Sequence, residues 1–234
     1  MTSIEAKNLT IYYPIFDSSS RSLKKAVVRA ATGGKIANDA HGISVCAIDN
    51  ISFMFSEGER IGLVGHNGAG KSTLLRAIAG VYAPASGSMK VKGSIVSLLD
   101  LSLGMDNEFT GYENIFMRCV LMGIRKSEVN KHIDDIIEFS ELGEYIRMPM
   151  RTYSTGMSLR LAFSICTTFP SDIILMDEWL SVGDADFSKK AETRLLEFIN
   201  KSSILVLASH NAEQIKKICT RVVTMDKGRI IGDN

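Results

Sequence analysis

Gly65-His66-Asn67-Gly68-Ala69-Gly70-Lys71-Ser72-Thr73 is the stretch that decides the fold. Its spacing is G-x-x-x-x-G-K-[ST], that of a phosphate-binding loop. Ile61-Gly62-Leu63-Val64 before it reads as a short buried strand, and Thr73 to Ala79 after it reads as a helix. The chemistry needs that order. Glycines let consecutive backbone N–H groups curl around phosphate oxygens without a Cβ in the way. The helix N-terminus adds partial positive charge. Lys71 would reach the β- and γ-phosphates, and the Ser72 hydroxyl would ligate Mg²⁺.

The rest of the chain bounds what surrounds this loop. A length of 234 residues holds one large α/β domain, with or without an insert. Hydrophobic content of 45% supports a core and excludes a disordered chain. A net charge of +1 argues against a nucleic-acid binder built on a basic face. Cys46, Cys119, Cys166 and Cys219 show no C-x-x-C spacing and read as reduced thiols of a cytosolic protein. No basic-then-apolar leader and no run near 18 apolar residues is present, so any membrane spans are expected to come from a partner.

Partial alternation over 4–13 predicts a first strand, which Pro14 and the Asp17-Ser18-Ser19-Ser20 cluster should break. Leu23, Ala26, Val27 and Ala30 then mark one apolar stripe of a short, basic helix inside 14–42. Strand pattern returns at 43–55 and at 89–99. The stretch 103–159 is more polar and helical, with periodic runs at 111–122 and 127–139. A strand at 171–176, a helix at 186–200, a strand at 203–208, a helix at 211–219 and a hairpin at 221–231 follow. Strands alternating with helices mean an α/β fold with a largely parallel sheet. The expected division is a nucleotide-binding core of 1–102 and 160–234, and a helical subdomain of 103–159.

Three further motifs follow the phosphate loop. Ile173-Ile174-Leu175-Met176 ends in Asp177-Glu178, placing two carboxylates at the carboxyl edge of a buried strand. Asp177 would hold Mg²⁺, and Glu178 would polarise an attacking water as general base. Tyr153-Ser154-Thr155-Gly156-Met157 opens an apolar helical run. Its hydroxyl and glycine are either an ordinary helix cap or an anion cradle that serves a second copy of the chain. His210 follows the apolar strand Ile204 to Ala208.

Together these residues resemble the ATPase subunit of ABC transporters, over nearly the whole chain. The Tyr-Ser-x-Gly-Met form at 153–157, Ser97 to Met105, Thr110 to Ile115 and Val182 to Phe187 resemble the branch that exports lipid-linked O-antigen, capsule or teichoic acid. The resemblance implies a P-loop NTPase (RecA-like) core with an antiparallel β subdomain and a helical insert. Gly65, His66, Asn67, Gly68, Ala69, Gly70, Lys71, Ser72 and Thr73 would bind ATP. Ser154 and Gly156 would complete the site of the opposite subunit in a homodimer. Asp184 would cross the dimer interface, Glu178 would be the base, and His210 would sense the γ-phosphate. Implied partners are two copies of a membrane permease at the cytoplasmic face of the bacterial inner membrane, which carries the lipid-linked polysaccharide, and no nucleic acid.

The sequence departs from that pattern in two places. Asp100 stands about where a glutamine usually ligates Mg²⁺, and Trp179 stands where proline usually follows the base. The aromatic that stacks on adenine should end the first strand, and Tyr13 is preferred to Tyr12. The basic helix within 14–42 reads either as a solvated surface element or as a contact with membrane or permease. Rival readings are an importer or drug exporter, expected to keep Leu-Ser-Gly-Gly-Gln, and a soluble cassette, expected to carry coiled coils or a basic face. A third rival is a sugar-binding protein whose cassette only regulates.

Overall fold

The computed structural model describes residues 1–15, 36–39, 42–179 and 185–234. The basic helix expected within 14–42 and the Asp184 turn fall largely or wholly outside those residues. The chain divides into two units, Met1–Gly93 with Val206–Asn234, and Ser94–Leu205.

In the first unit, β1 (Ser3–Ile15), β2 (Ile36–Asp39), β3 (Gly42–Ser56) and β5 (Ser86–Lys92) form one sheet in the order β2-β3-β1-β5. All three of its strand pairings are antiparallel. Ile4, Ala6, Leu9 and Ile11 of β1 are buried, while Tyr12 and Tyr13 are exposed. Pro14 does not end β1, because Pro14 pairs with Ser44 and Ile15 with Ile43. The reason is one-sided pairing. β5 runs out at Thr10↔Ser86, so beyond Thr10 only β3 flanks β1, and a proline that lacks an N–H is tolerated at such an edge. The short β2, pairing at Ile36↔Val45 through Asp39↔Gly42, had no readable pattern in four residues.

The same unit holds β4 (Arg60–Val64), parallel to β9 (Arg221–Asp226), which turns back antiparallel into β10 (Arg229–Asp233). Among the described residues its helices are α1 (Lys71–Ile78) and, near the chain end, α6 (Ala212–Ile218), whose start is capped by Asn211 accepting from Glu213 and Gln214 N–H. Of β8 (Ile204–Ala208), residues Val206 to Ala208 belong here, and in this unit the strand order is β10-β9-β4-β8.

In the second unit, β6 (Ile95–Ser97) runs parallel to β7 (Ile173–Asp177), with Ile95↔Ile173 and Ser97↔Leu175 paired. Four of the five β7 residues are buried. A strand covered on both faces reads as a continuous apolar run, as this one does. The helices are α2 (Gly111–Leu121), α3 (Lys126–Ser140), α4 (Thr155–Thr168) and α5 (Ala185–Lys201). Val129, Ile133 and Ile136 at i, i+4, i+7 face Ile115, Cys119, Leu161 and Ile165 in one core. Thr110 caps α2 with a reciprocal box, its Oγ1 accepting from Glu113 N–H (3.2 Å) and Glu113 Oε2 accepting from Thr110 N–H (2.9 Å). Fully buried Asn114 fastens the preceding loop, donating to the carbonyls of Asp106, Phe109 and Thr110 and accepting from Asp106 N–H (2.7 Å).

None of the four cysteines forms a disulfide. Burial pushes the thiols of Cys119 up to about 12 and of Cys219 up to about 11, so both stay protonated and unreactive. No helix among the described residues is long and apolar enough to cross a membrane.

Candidate active site

The phosphate loop leaves β4 at Val64 and enters α1 at Lys71, so the expected strand-loop-helix order holds. Gly70 caps α1 at φ 108°, a left-handed conformation that favours glycine. Two contacts make the outer glycines obligatory. A Cβ on Gly65 would stand 2.3 Å from Met225 O, and one on Gly70 would stand 2.9 Å from Ala47 O. Gly68, at φ +81°, has nothing among the described residues within 4 Å of such a Cβ. The C-terminal hairpin therefore braces the loop from behind. Gly228 N–H donates to Ala69 O (2.8 Å), and Asp49 N–H donates to Gly228 O (2.9 Å).

The open side of the loop is suited to anions. α1 has no side-chain cap and no acidic residue in its first turn. Leu74 N–H is the first to close the helix ladder, onto Gly70 O (2.9 Å). The N–H groups of Lys71, Ser72 and Thr73 precede that ladder, at the positive end of the helix dipole. Lys71 is buried, and its Nζ donates to Gly65 O (2.7 Å) and His66 O (3.2 Å). That leaves one of its three donors for a phosphate oxygen.

His66 adds a second basic group. Its Nδ1 lies 2.7 Å from Asn67 O and its Nε2 lies 2.7 Å from Asp226 Oδ1. Acceptors at both nitrogens favour the doubly protonated ring. The Asn67 carbonyl first, then the Asp226 hydrogen bond, raise its pKa against desolvation and the nearby Lys71 charge. A raised folded pKa gives stability that is complete below about pH 6.5, the ordinary histidine value, and lost as pH climbs through the folded value. Asp226→Asn is therefore expected to flatten the fall of melting temperature above about pH 6.5. Identical pH slopes in wild type and variant would show that the pair contributes nothing.

Beside the strand end that leads into the loop, Ser209 N–H donates to Leu63 O (3.2 Å). His210, exposed, thus leaves the sheet at the same edge as Gly65. Ser209 is fully buried and its Oγ accepts from Asn211 N–H (3.1 Å).

The carboxylates lie in the second unit. Buried β7 delivers Asp177 at its carboxyl end, and Glu178 follows at φ 71°. A glutamate in the left-handed region costs about 1–3 kcal/mol and is held only where its surroundings dictate it, as at functional turns. Asp100 lies beyond the end of β6, the parallel neighbour of β7, and so at the same sheet edge as Asp177. Its Oδ1 accepts from Ser102 N–H (3.2 Å) in a tight turn. Ser72, Asp177 and Asp100 offer only oxygen ligands. No cluster of three or more metal-binding side chains exists among the described residues. Oxygen donors are the kind Mg²⁺ takes, one or two from protein beside its waters and substrate phosphates, and each of the two units offers such donors.

Ser154 caps α4, its Oγ accepting from Met157 N–H (3.2 Å). Among the described residues, a Cβ on Gly156 would meet nothing outside its own helix turn closer than Ser154 Oγ at 3.8 Å. The Tyr153 hydroxyl donates to Tyr145 O (2.6 Å) and packs where Gly111 has no Cβ.

The chain matches the ABC transporter profile over residues 48–181. It belongs to the ABC transporter family. It is 45% identical to the O-antigen export system ATP-binding protein RfbE of Yersinia enterocolitica, over 98% of this chain and 97% of that protein. It is 38% identical to the teichoic acids export ATP-binding protein TagH of Staphylococcus epidermidis, over 97% of this chain and 83% of that one. Its fold superposes with a TM-score of 0.69 and 17% identity on a dimeric ATP-binding cassette in a post-hydrolysis state bound to ADP and Pi, covering 99% and 97% of the chains. The expected α/β class with parallel strands, an antiparallel subdomain and helices is the observed one. Asp226 and the hairpin brace carry no local motif, and only the folded chain reveals them.

Proposed function

We propose that this ABC-type ATPase is the motor subunit of an exporter that moves lipid-linked polysaccharide, O-antigen foremost, across the bacterial inner membrane. The observation that carries this reading is identity of 45% along 98% of the chain to an O-antigen export ATP-binding protein. The polymer's chemistry is not read from the ATP site, which would serve any cargo.

Gly65 to Thr73 would hold the ATP phosphates through backbone N–H groups, Lys71 and the α1 N-terminus. Ser72 and Asp177, with Asp100, would hold Mg²⁺, which supplies charge neutralisation of the phosphates. Glu178 would orient the attacking water and accept its proton, and His210 would donate to the γ-phosphate. Two copies would close head to tail, so that Ser154 and Gly156 of each meet the phosphates held by the other. The unobstructed space at Gly156 supports that approach from outside the chain. Asp184 would lie at the same dimer contact. Hydrolysis removes the shared charge, the dimer opens, and two permease copies bound at the cytoplasmic face move with it. The division of labour between a core (1–102, 160–234) and a helical subdomain (103–159) belongs to this proposal.

Lys71→Ala, introduced into cells that make the polymer, is expected to remove the polymer from the cell surface. Lipid-linked chains should then accumulate inside, as gels of surface and total polysaccharide would show. Normal surface polymer in that strain would contradict the export reading.

A further inference from the structure

The β1 tip, the phosphate loop and the turn after α1 meet within one unit. β3 has an extra residue at Ala47, because Ile11 pairs with Ile48 and Tyr12 with Cys46. The Ala47 carbonyl faces Gly70 of the phosphate loop. Tyr13 pairs with Val45, two residues from Ala47. That sets Tyr13 one strand over and about 7 Å along from the carbonyl touching the loop.

The turn after α1 reaches the same place. α1 ends with Gly80 N–H donating to Ala77 O (3.0 Å) and Val81 N–H donating to Arg76 O (2.9 Å). This is the two-bond stop made possible by Gly80 at φ 79°. Ala85 N–H then donates to Thr10 O (2.9 Å), tying the turn to β1. Between those anchors Tyr82 meets Tyr13 edge to face, with centroids 6.0 Å apart and planes at 84°. Whichever ring supplies the edge, Tyr13 keeps at least one face uncovered by Tyr82. Tyr13 is 49% exposed, so without such a contact a terminal ring would be free to rotate.

We infer that Tyr82 is a positioning residue for the nucleotide base, fixing the Tyr13 ring with a face presented to adenine. This rests on the nucleotide-site reading and adds a residue to it. Tyr82 sits at the far end of the helix whose start is the phosphate loop. One rigid element therefore sets both the phosphate end and the base end of the site. The base specificity expected is for a flat, stacking heterocycle, with no hydrogen-bond readout from this pair.

The test compares binding of ATP with binding of inorganic tripolyphosphate by calorimetry. Tyr82→Ala should weaken ATP binding about 2- to 10-fold, the range for losing one aromatic pair, and leave tripolyphosphate unchanged. Tyr82→Phe should bind ATP like wild type, because the ring pair survives. Tyr82→Ala added to Tyr13→Ala should cost nothing beyond Tyr13→Ala alone. Wild-type ATP affinity in Tyr82→Ala, alongside a weakened Tyr13→Ala, would overturn the inference and leave the base site standing. Parallel loss of tripolyphosphate affinity would also overturn it, making Tyr82 a support of α1. Full ATP affinity in Tyr13→Ala would remove the base reading itself.

Discussion

Glu178→Gln is expected to lower ATP turnover by about a hundred- to ten-thousandfold, the usual share of a positioned general base. The substitution keeps the size and hydrogen-bonding capacity of the side chain and removes only its ability to take a proton. Binding should survive, because Lys71 and the N-terminus of α1 lie elsewhere on the chain. The backbone at Glu178 strengthens the expectation. A φ of 71° is costly for glutamate and glutamine alike, so the exchange leaves the strain unchanged and isolates the carboxylate. Turnover measured with saturating ATP and Mg²⁺ reports the result. Unaltered turnover would mean that the base is another residue.

Gly65→Ala is expected to have the next largest effect. Its Cβ would stand 2.3 Å from the Met225 carbonyl, which lies on the hairpin brace and cannot swing away as a side-chain end could. The loop or the hairpin must shift. A displacement near 1 Å at a positioned phosphate costs about a hundredfold in activity. Forced overpacking costs about 1–3 kcal/mol in stability as well. Gly68→Ala is the control, since nothing lies within 4 Å of its Cβ and only the left-handed φ is penalised. It should fold with a loss of about 1–2 kcal/mol. Denaturation curves and ATP binding for both variants separate crowding from backbone strain. Equal behaviour of the two would contradict the brace.

What was legible in the sequence was what lies close together along it. The phosphate loop is nine contiguous residues flanked by a strand and a helix, and its physics is local. β7 announces itself because both of its faces are covered, leaving an unbroken apolar run before Asp177. The helices from 111 to 140 kept their period because one stripe meets one core. Features made by distant segments stayed hidden. His66 finds Asp226 across 160 residues, and Tyr13 finds Tyr82 only after β1 and the turn at Gly80 are both in place. Pro14 misled for a related reason, since its tolerance depends on where β5 stops pairing. Ser154 read from sequence as either a cap or a cradle, and it is observed as the cap of its own helix. The second role proposed for it would concern another copy of the chain.

That second copy is the centre of the account, and the mass of Glu178→Gln in solution tests it most directly. Light scattering with ATP and Mg²⁺ should give a species of twice the 25.6 kDa chain, holding two ATP. The single-chain mass should return without nucleotide, and also in Glu178→Gln combined with Ser154→Arg. A variant that binds ATP fully yet stays at 25.6 kDa at high protein concentration would contradict the ATP-closed dimer.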